Sequence, residues 1–375
     1  MKKYLILVVS WLLLGSGQLV KEASDNVWVL PCTELLENYQ DFPAKEWNEV
    51  VLGKGETEHL QVVLNTIPKE KITISSSIPE AFNVHYRMLT DIDGYKDALV
   101  PFVSTIQATG STSVVWLTFE TPRNSQPGTY EYTVSIKTLR NSINLKFKVR
   151  VADYEIPLTP SIPSEFCIDI DNLPDNGSDE QKELWNEFLL SRRIDPYYGK
   201  LIDRNTWRWD NCFSPWPWDD PRSRKLLQDK RFCRFALPCM LEDDELLRMC
   251  NDMEEKGYFD RCYFYIWDEP KTPEHYEQIA KESAHILSLK PNAKMLVPIS
   301  SFLVEGEHKW DYDYTFDFLT KYVKIFPIAA EQYNCENSGA EKFRKLVEPR
   351  AEWWTYVCCG PTGVQPNFLF AQTPF

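Results

Sequence analysis

Residues 263–270 read Tyr-Phe-Tyr-Ile-Trp-Asp-Glu-Pro, an apolar run that ends in two adjacent carboxylates and a proline. Such a run is typical of a buried strand that stops at the proline, because proline has no N–H with which to continue a sheet ladder. Similar runs alternate with amphipathic helical patterns on both sides of this one, which is typical of a parallel α/β arrangement. We therefore predict that Asp268 and Glu269 follow a strand of an α/β domain.

Counting this run, seven strand candidates alternate with helix candidates, and the chain stops at Phe375 without a polar tail. This series predicts a (β/α)8-type TIM barrel over residues 156–375 that lacks its last unit. The sequence is therefore expected to be truncated at its C-terminus. The expected strands cover residues 165–170, 197–202, 232–238, 261–267, 294–299, 322–329 and 352–358, and the expected helices lie near residues 179–191, 242–256, 273–288, 314–320 and 340–347.

The first half of the chain has a different pattern of apolar and polar residues. Short runs of β-type residues are separated by turn signals such as Asp93-Gly94 and Pro127-Gly128, and helical patterns are nearly missing. In the segment 130–136, apolar and polar residues alternate, as expected for a sheet with one packed face. We predict an N-terminal β-sandwich over residues 25–155, and thus a multidomain chain of β and α/β classes.

The N-terminus has the pattern of an export signal. A basic start at Met1-Lys2-Lys3 precedes about 12 apolar residues and the small residues Ser16 and Gly17. This apolar run is too short to span a bilayer, and no later segment is long and apolar enough. We predict a signal peptide over residues 1–17, no lipid-anchored cysteine, since the first cysteine is Cys32, and a secreted or periplasmic protein without a transmembrane segment.

Composition excludes several partners. The 41 Lys and Arg residues stand against 55 Asp and Glu residues, and the net charge of −14 repels phosphate backbones, so we expect no nucleic-acid partner. The ten cysteines and five histidines show no metal-ligand spacing, and we expect no metal and no cofactor. The 13 Trp, 18 Tyr and 20 Phe are a high aromatic load that suits flat amphipathic ligands such as sugars.

The adjacent carboxylates are the main catalytic candidates. In a parallel barrel the carboxyl ends of the strands face the active site. Two neighbouring carboxyl groups beside Trp267 and Tyr265 oppose each other's ionisation, which raises the pKa of one of them. Glu269 is then the candidate general acid. The alternative is that Asp-Glu-Pro is only a polar loop start at a strand end.

Aromatic residues supply the candidate binding surface. In the strand 352–358, alternation places Trp354 and Tyr356 on one side, where they form either a wall of the site or a packed layer under helices. Trp209 belongs to a Trp-rich segment that is read as a polar loop, and this loop is either a sugar platform or stiffened by its own packing. The full set of predicted binding residues is Trp267, Trp354, Tyr356, Tyr333, Glu331 and Trp209.

These motifs resemble glycoside hydrolase family 123, whose members are similar to β-N-acetylgalactosaminidases. The resemblance rests on residues 267–270 (Trp-Asp-Glu-Pro) and 353–361 (Trp-Trp-Thr-Tyr-Val-Cys-Cys-Gly-Pro), with weaker support from residues 55–63 and 127–130. It implies a substrate-assisted, retaining mechanism in which the sugar's acetamido oxygen attacks the anomeric carbon. Asp268 would hold the acetamido N–H, and Glu269 would protonate the leaving oxygen.

The expected function is therefore an exported glycosidase that removes β-linked N-acetylhexosamine, in particular N-acetylgalactosamine, from glycans. One alternative is a glycan-binding protein without catalytic activity, derived from a truncated glycosidase. Another is an enzyme that uses Glu331 or Asp169 as a protein nucleophile on a sugar that lacks the acetamido group.

Overall fold

The computed structural model describes residues 27–32, 48–92, 95–139, 142–168, 177–203, 208–299, 312–330 and 340–357. The predicted signal peptide (1–17) and the end of the chain (358–375) lie outside these residues. The described residues up to Ile156 form one compact unit, and those from Pro157 onward form a second. Within the described ranges, no helix has the length and apolar character needed to cross a membrane.

The first unit consists of strands. They are β1 (Val27–Pro31), β2 (Glu49–Lys54), β3 (Thr57–Asn65), β4 (Lys71–Ser77), β5 (Asn83–Ile92), β6 (Tyr95–Phe102), β7 (Thr105–Gln107), β8 (Thr112–Glu120), β9 (Gly128–Lys137) and β10 (Ser142–Glu155). They form two five-stranded sheets with the orders β1-β3-β8-β5-β6 and β2-β10-β9-β4-β7.

Both sheets contribute side chains to one apolar core, which is the packing of a β-sandwich. The alternation in β9 decides its inner face, because Tyr132, Val134 and Ile136 are fully buried. The buried Tyr132 hydroxyl is satisfied by the hydroxyl of Tyr86 on β5, at 2.8 Å. Pairing of this kind offsets the cost of burying a phenol inside an apolar core.

The second unit mixes strands and helices. Its elements are β11 (Glu165–Ile168), α1 (Asp179–Ser191), β12 (Asp195–Asp203), β13 (Arg208–Cys212), α2 (Pro221–Gln228), β14 (Phe235–Leu237), α3 (Asp243–Glu255), β15 (Cys262–Tyr265), α4 (Pro273–Leu289), β16 (Met295–Leu296), α5 (Tyr312–Leu319), β17 (Val323–Ala329), α6 (Ala340–Val347) and β18 (Glu352–Tyr356).

The prediction of a (β/α)8 TIM barrel is wrong. The strands of the second unit fall into two sheets, a three-stranded sheet β11-β12-β13 and a five-stranded parallel sheet β14-β15-β16-β17-β18. The described residues contain six helices and no ring of eight β/α units. The reason is β13, which pairs antiparallel with β12 and occupies the edge that the next parallel strand of a barrel would need.

A glycine in β12 leaves room for side chains of this antiparallel return. Gly199 of β12 lies opposite Asn211 of β13. A Cβ atom on Gly199 would lie 2.7 Å from Asn211 Oδ1 and 3.3 Å from the Trp209 ring. Because residue 199 has no side chain, those of Asn211 and Trp209 pack directly over the β12 backbone.

The five-stranded parallel sheet is strongly curved. One face packs on the helices and forms the main core of the unit, and the other carries the cluster of Ala236, Tyr263, Leu296 and Ile325. On that second face the rings of Tyr263 (β15) and Trp354 (β18) meet with centroids 5.6 Å apart. Strands three positions apart in a flat sheet are separated by about 14 Å, and side chains stand perpendicular to the sheet. The contact therefore requires curvature, and the second face is concave.

Candidate active site

Asp268 lies at the carboxyl end of β15, where the chain leaves the sheet. The hydroxyl of Tyr265 donates a hydrogen bond to Asp268 Oδ1 at 2.8 Å. Burial raises the pKa of the Asp268 carboxyl and the charge of Glu269 raises it further, while Tyr265, Trp209 and Lys271 oppose the shift. Asp268 is thus a half-buried carboxyl that one donor already orients.

Glu269 is held in a different way. Its backbone has a φ of +45°, in the left-handed region, which costs a residue with a side chain about 1–2 kcal/mol. The hydroxyl of Tyr356, at the end of β18, donates to Glu269 Oε1 at 2.5 Å. This tyrosine and Glu269 are 87 positions apart in the sequence. The curvature of the sheet therefore brings the end of β18 to the carboxylate loop.

The two carboxyl groups consequently have separate supports, one from β15 itself and one from β18. The sequence argument expected a raised pKa in this pair and assigned it to Glu269. In the structure, burial of the Asp268 carboxyl raises the pKa of that group. The assignment of acid and orienting roles stays a prediction.

The structure separates the predicted aromatic residues. Trp354 lies on the concave face, where its indole N–H donates to Glu352 at 3.1 Å. Its neighbour Trp353 packs into the core on the helix side, as alternation along β18 requires. Trp354 and Tyr356 therefore share the face on which the carboxylates lie.

Trp267 and Trp209 both lie near Asp268, and Trp267 is buried while Trp209 is partly exposed. Trp267 is only 4% exposed and packs against the His275 ring, with centroids 4.9 Å apart. Trp209 belongs to β13, and its interaction with the Asp268 carboxyl lowers the pKa of that group. The Trp209 indole N–H is buried and acts on the Asp268 carboxyl from outside strict hydrogen-bonding geometry. Trp209 is therefore a second donor, besides Tyr265, that orients Asp268.

The Trp-rich segment after residue 207 is not the polar loop that was predicted. Over residues 207–220, strand β13 lies within the segment, helix α2 follows it directly, and Trp216 and Trp218 are buried. The Trp216 indole N–H donates to Asp179 at 2.9 Å, and the guanidinium of Arg222 lies over its ring at 4.5 Å. These two tryptophans are packing residues, since charged partners cover their rings. The other predicted residues, Glu331, Tyr333 and Asp169, lie outside the described residues.

Sequence reasoning missed a polar cluster on the concave face. Tyr263 donates to Glu165 Oε2 at 2.6 Å, while Glu165 Oε1 is buried and has no hydrogen-bond partner in the structure. Burial raises the pKa of the Glu165 carboxyl to about 8. Tyr197 lies within electrostatic range of both Glu165 and Asp268. Alternation from Tyr265 to Tyr263 was a usable signal for the tyrosine, whereas Glu165 is joined to it only by the tertiary fold.

Glu165→Gln is expected to remove a pH dependence of stability. The pKa of Glu165 rises from its ordinary 4.5 to about 8 on folding. Between these values the folded protein holds a proton that the unfolded chain releases, so the free energy of unfolding falls as the pH rises, by about 1.4 kcal/mol per pH unit. Gln has the same shape and no charge.

Urea unfolding of both proteins, measured from about pH 5 to about pH 9, checks this expectation. The wild type should lose stability relative to the variant as the pH rises towards 8, with no further change above it. Asp195, whose pKa is raised to about 6 by burial, titrates in both proteins, so only the difference between the two curves reports Glu165. Parallel curves would show that Glu165 is not protonated in the folded state.

The described residues contain no group of three or more His, Cys, Asp and Glu side chains arranged to hold a metal ion. The side chains described around the carboxylate pair offer carboxyl, phenol and indole groups. A proton donor or acceptor beside a second, oriented carboxyl is an arrangement suited to acid–base chemistry on a neutral polar substrate.

Comparisons with known proteins give fold-level likenesses to glycoside hydrolases among other proteins. No family model matches the sequence, and no curated protein matches it. A family 123 glycoside hydrolase from Clostridium perfringens that acts on glycolipid glycans has a TM-score of 0.46 at 14% identity, over 86% of this chain and 69% of that chain. A galactosidase-like protein from Bacteroides fragilis has a TM-score of 0.22 at 10% identity, over 84% and 51% of the two chains.

The PapD-like domain of human CEP192 is similar to a smaller part of the protein. It has a TM-score of 0.19 at 15% identity and covers 38% of this chain and 97% of its own. The structural neighbours thus include glycoside hydrolases of two kinds and an isolated domain. These likenesses do not identify a particular activity.

Proposed function

We propose that this protein is an exported glycoside hydrolase that removes β-linked N-acetylhexosamine, in particular N-acetylgalactosamine, from glycans by a retaining, substrate-assisted mechanism. One observation carries the proposal. Two carboxyl groups that are adjacent in the sequence are each held by a separate tyrosine hydroxyl, Asp268 by Tyr265 and Glu269 by Tyr356, beside a concave face that carries Trp354.

Adjacency favours substrate assistance over a protein nucleophile. A retaining enzyme with its own nucleophile places two carboxyl groups about 5–5.5 Å apart on opposite sides of the anomeric carbon. Neighbouring residues of one loop approach a bound sugar from the same side. They suit one proton donor and one orienting group, and the nucleophile is then the acetamido oxygen of the sugar.

The proposed reaction has two steps. In the first, the acetamido carbonyl oxygen forms a bond to the anomeric carbon while the glycosidic bond breaks, and Glu269 gives its proton to the leaving oxygen. Asp268 accepts a hydrogen bond from the acetamido N–H and stabilises the positive charge of the oxazolinium ion. In the second step, Glu269 takes a proton from water, which attacks the anomeric carbon and restores the acetamido group.

The side chains around the pair have matching tasks. Tyr356 orients Glu269 towards the leaving oxygen, and Tyr265 holds Asp268 so that its other oxygen faces the sugar amide. The indole N–H of Trp209 acts on the Asp268 carboxyl as a second orienting donor. Trp354 offers an apolar face at the same end of the sheet.

A comparison of two substrates tests the proposal. The wild type should hydrolyse an aryl 2-acetamido-2-deoxy-β-galactoside at least about 10³-fold faster than the matching β-galactoside, because only the former carries its own nucleophile. Steady-state rates with a chromogenic leaving group give the ratio. A thiazoline analogue of the oxazoline should inhibit competitively, and the product should first form with retained configuration by proton NMR.

Two outcomes would contradict the proposal. Equal rates on both sugars would point to a protein nucleophile. Binding of N-acetylgalactosamine without any hydrolysis would favour a glycan-binding protein.

A further inference from the structure

The loop that carries Glu269 is strained, and the first turn of α4 holds it in place. Glu269 has its left-handed backbone three residues before Thr272, whose hydroxyl caps α4 by accepting the His275 N–H at 3.4 Å. A strained backbone persists only where its surroundings determine it fully. Tyr356 restrains the Glu269 side chain, so the restraint on the backbone must come from residues on the other side of the loop.

Two hydrogen bonds from α4 supply that restraint. Tyr276 donates its hydroxyl proton to the Pro270 carbonyl at 3.3 Å. The backbone N–H of Lys271 donates to His275 Nδ1 at 3.1 Å. These contacts hold the two residues that directly follow Glu269, and the second of them depends on a titratable ring.

His275 can accept this hydrogen bond only when Nδ1 carries no proton. Its ring lies against Trp267, the residue before the Asp268–Glu269 pair, with an angle of 38° between the ring planes. Protonation at Nδ1 would place two donors, the ring N–H and the Lys271 N–H, against each other. The bond to Lys271 would then break, and one restraint on the strained loop would be lost.

We propose that His275 is a positioning residue that keeps the Glu269 loop in its working shape, and that the loop keeps this shape only while His275 is neutral. The proposal rests on the proposed function for its meaning in catalysis. Partial burial and the charge of Lys271 lower the pKa of His275, and Glu274 opposes them. In the described residues these are the charged side chains that act on the ring. The loss of shape should therefore occur on the acidic side of the ordinary histidine range.

Three variants separate this role from a structural one. His275→Asn keeps an acceptor near the position of Nδ1 and does not titrate, so its kcat at neutral pH should stay near the wild-type value while the acidic limb of the kcat–pH profile moves to lower pH. His275→Phe keeps the ring against Trp267 without an acceptor, and its kcat should fall about tenfold at neutral pH with little change in KM. The difference from the wild type should shrink at acidic pH, where the wild type loses the same hydrogen bond. His285→Asn, on the same helix and paired with Asp243 at 2.8 Å, should leave the profile unchanged.

A second measurement does not need activity. Amide hydrogen exchange at Lys271, corrected for the intrinsic rate, should lose protection in the wild type as His275 becomes protonated, and it should keep protection in His275→Asn. If Lys271 follows His275 in this way but no N-acetylhexosaminide is hydrolysed, the proposed function fails and the positioning role stands. The role itself is overturned if His275→Asn and the wild type show the same acidic limb and the same exchange, or if His275→Phe has the wild-type kcat.

Discussion

Glu269→Gln is expected to lower kcat by about 10²–10⁴-fold on substrates with a poor leaving group, with little change in KM. Gln keeps the shape of Glu269, and its carbonyl oxygen can still accept the hydrogen bond from Tyr356. The variant loses only the proton that the leaving oxygen needs. A glycan disaccharide is therefore the most sensitive substrate.

Leaving-group dependence makes this test sharper. An aryl glycoside whose phenol is strongly acidic leaves without help, so the loss caused by Glu269→Gln should shrink as the leaving group becomes more acidic. Rates across a series of aryl N-acetylgalactosaminides measure this trend. Glu183→Gln, an exposed position on α1, is the matched control and should show wild-type rates throughout. Wild-type turnover of the disaccharide by Glu269→Gln would exclude Glu269 as the acid.

Asp268→Asn is expected to lower kcat by about 10²–10³-fold on acetamido sugars, through loss of electrostatic stabilisation of the oxazolinium charge. The Asn oxygen can still accept from Tyr265 or from the sugar amide, so KM should change little. The loss should be the same for good and poor leaving groups, because Asp268 acts on the acetamido side of the reaction. This difference distinguishes the two carboxyl groups.

The same aryl series provides the measurement, and Asp244→Asn, exposed in the first turn of α3, is the control. A loss that shrinks with acidic leaving groups would mean that the roles of Asp268 and Glu269 are exchanged. The raised pKa of Asp268 makes an exchange of roles chemically reasonable, since a desolvated carboxyl can also act as a proton donor. An unchanged rate would remove Asp268 from the mechanism.

Several parts of the site were predictable from local sequence. The run that ends at Asp268 and Glu269 is β15 and its following loop, and the alternation that puts Trp354 and Tyr356 on one face is present in β18. Thr272 caps α4 as a threonine before a proline should. These features depend on residues within a few positions of one another, and short-range periodicity reports such features directly.

Other parts were not predictable. Trp216 and Trp218 lie in a segment of polar composition and are nevertheless buried, and the acceptor of the Trp216 indole N–H is Asp179, which lies 37 positions away in the sequence. The unsatisfied carboxyl of Glu165 is likewise a property of its surroundings. No pattern within either segment shows which distant side chains will contact it in the folded protein.

Local sequence was enough to place most strands and helices of the second unit, although not β13 and α2, and to show which carboxylates follow a strand, since hydrophobic period, prolines and caps are local properties. Only the tertiary structure decided how the strands join. The antiparallel return of β13 over Gly199 divides the second unit into two sheets, and curvature brings Tyr356 to Glu269. The physical reason is that strand pairing and curvature depend on contacts between residues far apart in the chain, which no local period encodes.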